Sequence, residues 1–282
     1  MTVNTNNGVC ILGHGITYSR SPLIHNYWIG KYGVDSEYSI CDLPEVKLPA
    51  FLSSIRDGKS VGCNVTIPYK QTVIQYLDSI DDAASTIGSV NTIYRRNGQL
   101  RGTSTDGAGY IGHLKNTHPD LSLKNARVLV LGAGGAARSI ADALVQRGCS
   151  VIYIANRTLA KAREIAGLQA DIIKPLAWDD MQSIAGQVDL LVNTTSLGMT
   201  GRQPLVLPLE NTRPDCIISD IVYAPLETEL LAQARSLGRP VVDGLGMLLH
   251  QAVPGFKLWF GIEPQVTDEL RALVEQDLLS HG

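Results

Sequence analysis

The stretch VLVLGAGGAARSIADALVQRG, Val128 to Gly148, constrains this chain more than any other. Val128–Leu131 is apolar throughout and reads as a buried strand, whereas Ile140, Leu144 and Val145 recur on one side of a following helix. The turn between them fits G-x-G-x-x-A at Gly132, Gly134 and Ala137. The first glycine permits a tight turn, the second lets backbone approach a pyrophosphate, and the small third residue lets helix pack on strand. Unpaired N–H groups and the helix dipole then face the phosphates. Tight packing alone would also use such residues, but the strand before and the helix after favour a dinucleotide site. The next strand, VIYIA, ends in Asn156-Arg157-Thr158, where an NAD site needs an acid for the ribose 2′-hydroxyl. Arg157, with Lys161 one helical turn on, offers partners for a 2′-phosphate, and cations near a helix N-terminus otherwise oppose the dipole. NADP is the expected cofactor.

Around this unit apolar runs alternate with amphipathic ones. Val9–Leu12, Pro22–Tyr32, Tyr38–Cys41, Glu45–Ile55, Val61–Val65 and Tyr69–Leu77 read as β-α-β-α-β-α. Asn91–Arg95 and Gln99–Thr103 follow as strands joined by an Asn97-Gly98 hairpin turn. The pattern restarts at Val128 and continues with a helix at Ala136–Arg147, a strand at Val151–Ala155 and a helix at Thr158–Ala166. Strands are expected at Ala170–Ile173, Leu190–Asn193, Cys216–Ile221 and Val241–Asp243, and helices at Met247–Phe260 and Thr267–Leu279. Strands this apolar belong in a parallel sheet covered on both faces. A chain of 282 residues, 44% hydrophobic, is long enough for two domains of about 150 residues. The fold class is α/β, an N-terminal α/β domain and a Rossmann-type doubly wound domain, with the boundary near Thr105–Gly112.

A net charge of −3, with scattered Lys and Arg, gives no electrostatic reason to bind nucleic acid. The five cysteines have no metal-site spacing and read as reduced, packed thiols. No cation precedes Arg20, so the start does not resemble a signal peptide, and no apolar run approaches the ~18 residues of a membrane span. A cytoplasmic protein with small-molecule partners, no membrane or nucleic-acid partner and no metal is expected, with a homodimer as the candidate assembly. His25 and His250 lack companion ligands and read as packed or capped side chains, and Trp28, Trp178 and Trp259 as core or interface.

Five further stretches put polar groups where strands stop or loops begin: YSRSP (Tyr18–Pro22), NVTIPYK (Asn64–Lys70), GSVNT (Gly88–Thr92), STDGAG (Ser104–Gly109) and MLLHQ (Met247–Gln251). Open α/β sheets bind ligands beyond the carboxyl ends of their strands, so Ser19, Ser21, Thr66, Asn91, Asp106 and Gln251 can converge on one cleft. Rich in hydroxyl and amide groups, that set suits a small polyhydroxy acid. Each residue also has a structural reading: Ser19 or Ser21 as N-cap before Pro22, Asn91 as a turn residue, Asp106 as a cap for a helix starting at Gly107. Lys70 would stand in the first turn of the Tyr69–Leu77 helix, where a cation does not help the dipole.

These motifs resemble the shikimate dehydrogenase family over essentially the whole chain. They are S-x-S-P at Ser19–Pro22, N-V-T-I-P-x-K at Asn64–Lys70, G-x-V-N-T at Gly88–Thr92, T-D-G at Thr105–Gly107 and G-A-G-G-A at Gly132–Ala136. N-R-T at Asn156–Thr158, N-T-T-S-x-G-M at Asn193–Met199, D-x-V-Y-x-P at Asp220–Pro225 and D-G-L-G-M-L-x-x-Q at Asp243–Gln251 complete the set. The resemblance implies reversible NADPH-dependent reduction of 3-dehydroshikimate to shikimate, a step towards aromatic amino acids. It also implies roles: Ser19 and Ser21 on the substrate carboxylate, Thr66, Asn91, Tyr223 and Gln251 on the ring substituents, Lys70 and Asp106 at the reacting carbon. Cofactor positions would be Gly132, Ala133, Gly134, Gly135 and Ala136, then Asn156, Arg157, Thr158 and Lys161, with Asp82, Ile221 and Gly244 lining the cofactor. Domains would run over residues 1–107 (substrate) and 108–243 (NADP), with C-terminal helices at 244–282 completing the first. Three departures stand out: Ser104 where Asn is usual, Gly15 where Pro is common, and Tyr18 where His is common. Rival readings are a quinate/shikimate dehydrogenase of broader specificity, a folate-directed NADP dehydrogenase with a catalytic lysine, and a non-catalytic NADP- and metabolite-binding regulator.

Overall fold

Two blocks of chain each build a six-stranded sheet. The computed structural model describes residues 8–16 and 18–281, so most of the uncharged N-terminal segment lies outside the described residues. One compact unit takes the described residues up to Thr105 together with Gln251–Val274; the other takes Asp106–His250 and the remainder from Glu275.

In the first unit the order is β1 (Val9–Gly13), α1 (Ser21–Tyr32), β2 (Tyr38–Asp42), α2 (Leu48–Arg56), β3 (Gly62–Val65), β4 (Ser79–Ile80), α3 (Asp82–Ile87), β5 (Thr92–Arg96) and β6 (Gln99–Thr103). The sheet runs β2-β1-β3-β5-β6-β4, with β1 parallel to β2 and β3, and β5 antiparallel to β3 and β6. It is therefore mixed rather than wholly parallel. The hairpin turns on Asn97 and Gly98, both at positive φ (53° and 75°), as a two-residue type I′ turn demands. Helix α1 buries Ser21, Ile24, His25, Trp28 and Ile29, a three-and-four spacing that puts one stripe on the core, and it stops at Gly33 in the left-handed region.

The second unit continues with α4 (Asp106–Thr117), β7 (Arg127–Leu131), α5 (Gly135–Gln146), β8 (Val151–Asn156), α6 (Leu159–Ala166), β9 (Ile173–Ala177), α7 (Met181–Ala185) and β10 (Leu190–Asn193). Then come β11 (Ile217–Asp220), α8 (Glu229–Ser236), β12 (Val241–Val242), α9 (Gly244–Phe260) and α10 (Asp268–His281). All strands are parallel in the order β12-β11-β10-β7-β8-β9, so the winding reverses between β7 and β10. Along β7, Val128 and Val130 enter one apolar cluster while Leu129 and Leu131 enter another. This alternation puts core on both faces, which explains the unbroken apolar runs. Helices α9 and α10 each begin in one unit and end in the other.

Two expected elements are corrected. No α-helix forms over Tyr69–Leu77; a 3-10 helix covers Thr72–Tyr76. The β-branched run Thr72-Val73-Ile74 disfavours a longer helix, and the buried Tyr69, its hydroxyl on the Leu43 carbonyl at 2.7 Å, fixes the chain beforehand. Lys70 consequently precedes that helix and opposes no α-helix dipole. The strand expected at Ala170–Ile173 lies instead at Ile173–Ala177, through Lys174 and Pro175. Proline is tolerated there because β9 is an edge strand paired to β8 alone. Short elements β4, α3, α7 and α8 have no counterpart in the sequence reading.

Candidate active site

In the second unit the glycine turn closes at the end of β7. Gly132 has φ +103°, and a Cβ there would lie 2.9 Å from Thr194 Oγ1 and 3.0 Å from Thr195 Cγ2. Backbone conformation and close approach both demand glycine. The Thr194 N–H and Oγ1–H reach the Leu131 carbonyl at 2.9 and 2.6 Å, which ties the loop after β10 to the end of β7. Gly134 is the N-cap of α5 and has no side-chain cap, and a Cβ at Gly134 or Gly135 would meet nothing within 4 Å. Ala137 is fully buried between helix and sheet. Uncapped N–H groups, open space and the switch point of the sheet therefore coincide at Gly132, Ala133, Gly134, Gly135 and Ala136.

At the end of β8, Asn156 donates through Nδ2 to the Thr158 carbonyl at 2.8 Å, and Arg157, Thr158 and Lys161 are exposed at the start of α6. No carboxylate occupies this strand end. Ile221 and Gly244 come together: the Ile221 N–H bonds the Asn193 carbonyl at 3.1 Å, and a Cβ on Gly244 would strike the Ile221 and Val222 carbonyl oxygens. Asp82, by contrast, is carried on the first unit, exposed in the first turn of α3. Its neighbour Asp81 is the cap, accepting from Ala84 N–H at 2.9 Å and from the Thr103 hydroxyl at 2.5 Å.

Asp220, fully buried at the end of β11, organises the segment that leads to the half-buried Tyr223. Oδ1 accepts from Asn193 Nδ2 at 2.9 Å and Val222 N–H at 3.0 Å, and Oδ2 from the Thr228 hydroxyl at 2.8 Å. Burial pushes its carboxyl up to about 6, with the bonds from Val222, Thr228 and Asn193 acting the other way. Asp106 stands in the first turn of α4, where a carboxylate favours the dipole.

In the first unit Ser19 Oγ accepts the Ser21 N–H at 3.2 Å, while Arg20 takes the N-cap place of α1 without a side-chain cap. The serines therefore open the helix side by side. Thr66 and Lys70 share one tight turn: Thr66 N–H bonds Leu12 O at 2.8 Å, Tyr69 N–H bonds Thr66 O at 2.9 Å, and Lys70 O accepts Val90 N–H at 2.8 Å. Lys70 is thus tied by backbone to the G-x-V-N-T segment.

Asn91, 4% exposed, accepts through Oδ1 from Thr105 N–H (3.0 Å) and the Thr92 hydroxyl (3.0 Å), and donates through Nδ2 to Thr105 Oγ1 (3.0 Å). Thr105 Oγ1 lies 3.5 Å from Gln251 Oε1 on α9. Beneath Asn91, Asn64 donates to the Asn91 carbonyl at 3.1 Å and Thr92 Oγ1 at 3.0 Å, and accepts the Tyr38 hydroxyl at 2.6 Å. Sequence reasoning gave no role to Tyr38, Asn64, Thr92, Asp220, Asn193 or Thr228. The available signal was a lone asparagine inside GCNV, a strand buried at every position. His25 is stacked on Tyr38 at 4.3 Å among Trp28, Phe256 and Trp259, and His250 bonds the Gly246 carbonyl at 2.8 Å. Of the departures, Gly15 has φ +70°, unattainable for proline. Tyr18 is exposed under the Arg20 guanidinium, and Ser104 is buried. Among the described residues no group of three or more His, Cys, Asp or Glu is placed to hold a metal, and no helix is long and apolar enough to cross a membrane.

Residues 11–93 match the shikimate dehydrogenase substrate binding domain, 114–200 the shikimate/quinate 5-dehydrogenase family, and 244–276 the shikimate 5′-dehydrogenase C-terminal domain. A shikimate dehydrogenase (NADP(+)) of Rhodopseudomonas palustris is 45% identical over 274 residues, 97% of this chain and 98% of that protein. The chain belongs to the shikimate dehydrogenase family. The crystal structure of shikimate 5-dehydrogenase from Thermus thermophilus in complex with NADP(H) and shikimate is similar, with TM-score 0.81, 32% identity and coverage of 97% and 99% of the two chains. Quinate dehydrogenase from Corynebacterium glutamicum in complex with NAD is another similar fold, with TM-score 0.87, 28% identity and coverage of 96% and 99%. Family membership accounts for the order of the motifs from Ser19 to Gln251.

Proposed function

We propose that this chain catalyses the reversible NADPH-dependent reduction of 3-dehydroshikimate to shikimate. The observation that carries the cofactor half is the end of β8, where Asn156 replaces the acid and Arg157 and Lys161 stand exposed beside an uncapped glycine turn. Near-full-length likeness to NADP(+)-dependent shikimate dehydrogenases supports the substrate half. Gly132, Ala133, Gly134, Gly135 and Ala136 would hold the pyrophosphate, Asn156, Arg157, Thr158 and Lys161 the 2′-phosphate, and Asp82, Ile221 and Gly244 would line the cofactor. NADPH, when bound, supplies the hydride.

As negative charge develops on the substrate carbonyl oxygen, Lys70 Nζ delivers a proton to it, and in the oxidative direction takes that proton back. Asp106 orients Lys70 and a substrate hydroxyl. Ser19 and Ser21 donate to the substrate carboxylate, and Thr66, Asn91, Tyr223 and Gln251 bond the ring hydroxyls. Five free cysteines suit a reducing compartment, and we place the enzyme in the cytoplasm, with a homodimer as the assembly to check by sedimentation.

The test is NADP⁺ reduction by the purified protein with shikimate, set against quinate and against NAD⁺. Turnover with shikimate and NADP⁺ well above both controls is expected. Preference for quinate would shift the reading to a quinate dehydrogenase, and ligand binding without turnover would make the chain a regulator.

A further inference from the structure

We propose that the Tyr38 hydroxyl is a positioning group for substrate recognition, anchoring the buried Asn64 amide that holds Asn91 and, through Thr105, adjoins Gln251. This rests on the assignment of Asn91 and Gln251 to the substrate. The donor directions follow from counting protons. Tyr38 gives its only hydroxyl proton to Asn64 Oδ1 at 2.6 Å, and the Asn91 carbonyl, which can only accept, sets Asn64 Nδ2 towards itself and Thr92 Oγ1. Thr92, already accepting from Asn64, must give its proton to Asn91 Oδ1. Thr105 N–H is a second donor to Asn91 Oδ1, so Nδ2 points to Thr105 Oγ1. The Thr105 hydroxyl lies 3.2 Å from Asn91 Oδ1 and 3.5 Å from Gln251 Oε1, within reach of both.

The links from Tyr38 to Thr105 are buried away from bulk water: Tyr38 is 1% exposed, Asn64 5%, Thr92 0% and Thr105 2%. Tyr38 is held by the parallel His25 ring at 4.3 Å and by Trp259. His25 is neutral, its burial lowering it to about 3, so the stack carries no charge. A buried, fully directed network keeps one arrangement because each alternative orphans a donor. Removing the phenol hydroxyl leaves Asn64 Oδ1 buried without its donor, which loosens the amide that holds the Asn91 carbonyl and Thr92 Oγ1. The substrate would then meet an Asn91 side chain that is less firmly placed.

Steady-state kinetics of Tyr38→Phe decide it. KM for shikimate is expected to rise about tenfold, the loss of about one positioned hydrogen bond, with kcat and KM for NADP⁺ within twofold. A merely structural role would lower thermal stability or active fraction without moving one substrate's KM. Unchanged KM for shikimate in folded Tyr38→Phe would overturn the proposal. Should Tyr38→Phe not fold, Thr92→Val, which breaks the next link, is judged by the same criterion. Asn91→Ala serves as reference: if it raises KM for shikimate while Tyr38→Phe does not, only the link through Tyr38 is wrong. If Asn91→Ala is itself neutral, the substrate assignment falls as well.

Discussion

Lys70 illustrates how one residue's meaning changes with its backbone. Its sequence neighbourhood placed a cation at a helix start, an awkward position. In the structure it lies in a turn fixed by the Thr66–Tyr69 bond and by Val90 N–H on its own carbonyl. The backbone is held while the amine remains on a partly exposed side chain, which suits the proton transfer proposed for it. Lys70→Ala is therefore expected to lose about 10²–10⁴-fold in kcat with a smaller change in KM for shikimate. Stopped-flow and steady-state rates at saturating substrate check it, and wild-type-like turnover would remove Lys70 from the mechanism.

Elements matter through how their ends are joined. The loop after β11 carries no regular structure and that after β10 only a 3-10 turn at Leu209–Asn211, yet Asp220 binds Asn193, Val222 and Thr228 into one assembly. Its carboxyl lies above its ordinary 3.8, at about 6, so the folded state binds that proton more tightly than the unfolded chain. The stability it contributes is full below pH about 4 and is lost as pH rises through about 6, up to about 3 kcal/mol in all. In Asp220→Asn the amide oxygen can keep the Oδ1 bonds, and the Thr228 hydroxyl can turn to accept the new N–H. Denaturant titrations should show the wild-type protein losing stability relative to Asp220→Asn between pH about 4 and 7. Parallel pH profiles would show that the Asp220 carboxyl titrates alike in the folded and the unfolded chain. Burial of this kind left little trace in the sequence: Asp220 was seen only as the first letter of D-x-V-Y-x-P.

At the scale of the whole molecule, ligand binding reports on the folded chain as a unit. NADP⁺ at about a hundredfold over its Kd should raise the unfolding free energy by about 2.7 kcal/mol. Replacing Arg157 by Ala removes a charge-assisted partner worth about 1.5–3 kcal/mol, so NADP⁺ affinity should fall roughly 10- to 100-fold while NAD⁺ affinity stays within twofold. Calorimetric titration of both cofactors checks this, and equal losses for the two would mean that Arg157 does not read the 2′-phosphate. The parallel second sheet was legible because each of its central strands is apolar on both faces. The first sheet was less so, because β4 and α3 are too short for a period to show.

By itself the sequence determined what is local: the strand-glycine-helix turn at Gly132, the missing acid at Asn156, the Asn97-Gly98 hairpin and the order of the motifs. Backbone sterics and neighbouring side chains set these, and both act over a few residues. Only the tertiary structure decided which polar groups serve one another. Tyr38 meets Asn64 across 26 residues, Asn64 meets the Asn91 carbonyl across 27, and Thr105 meets Gln251 across 146. A buried hydrogen bond constrains position in space and leaves separation along the chain free, so no spacing in the sequence announces it.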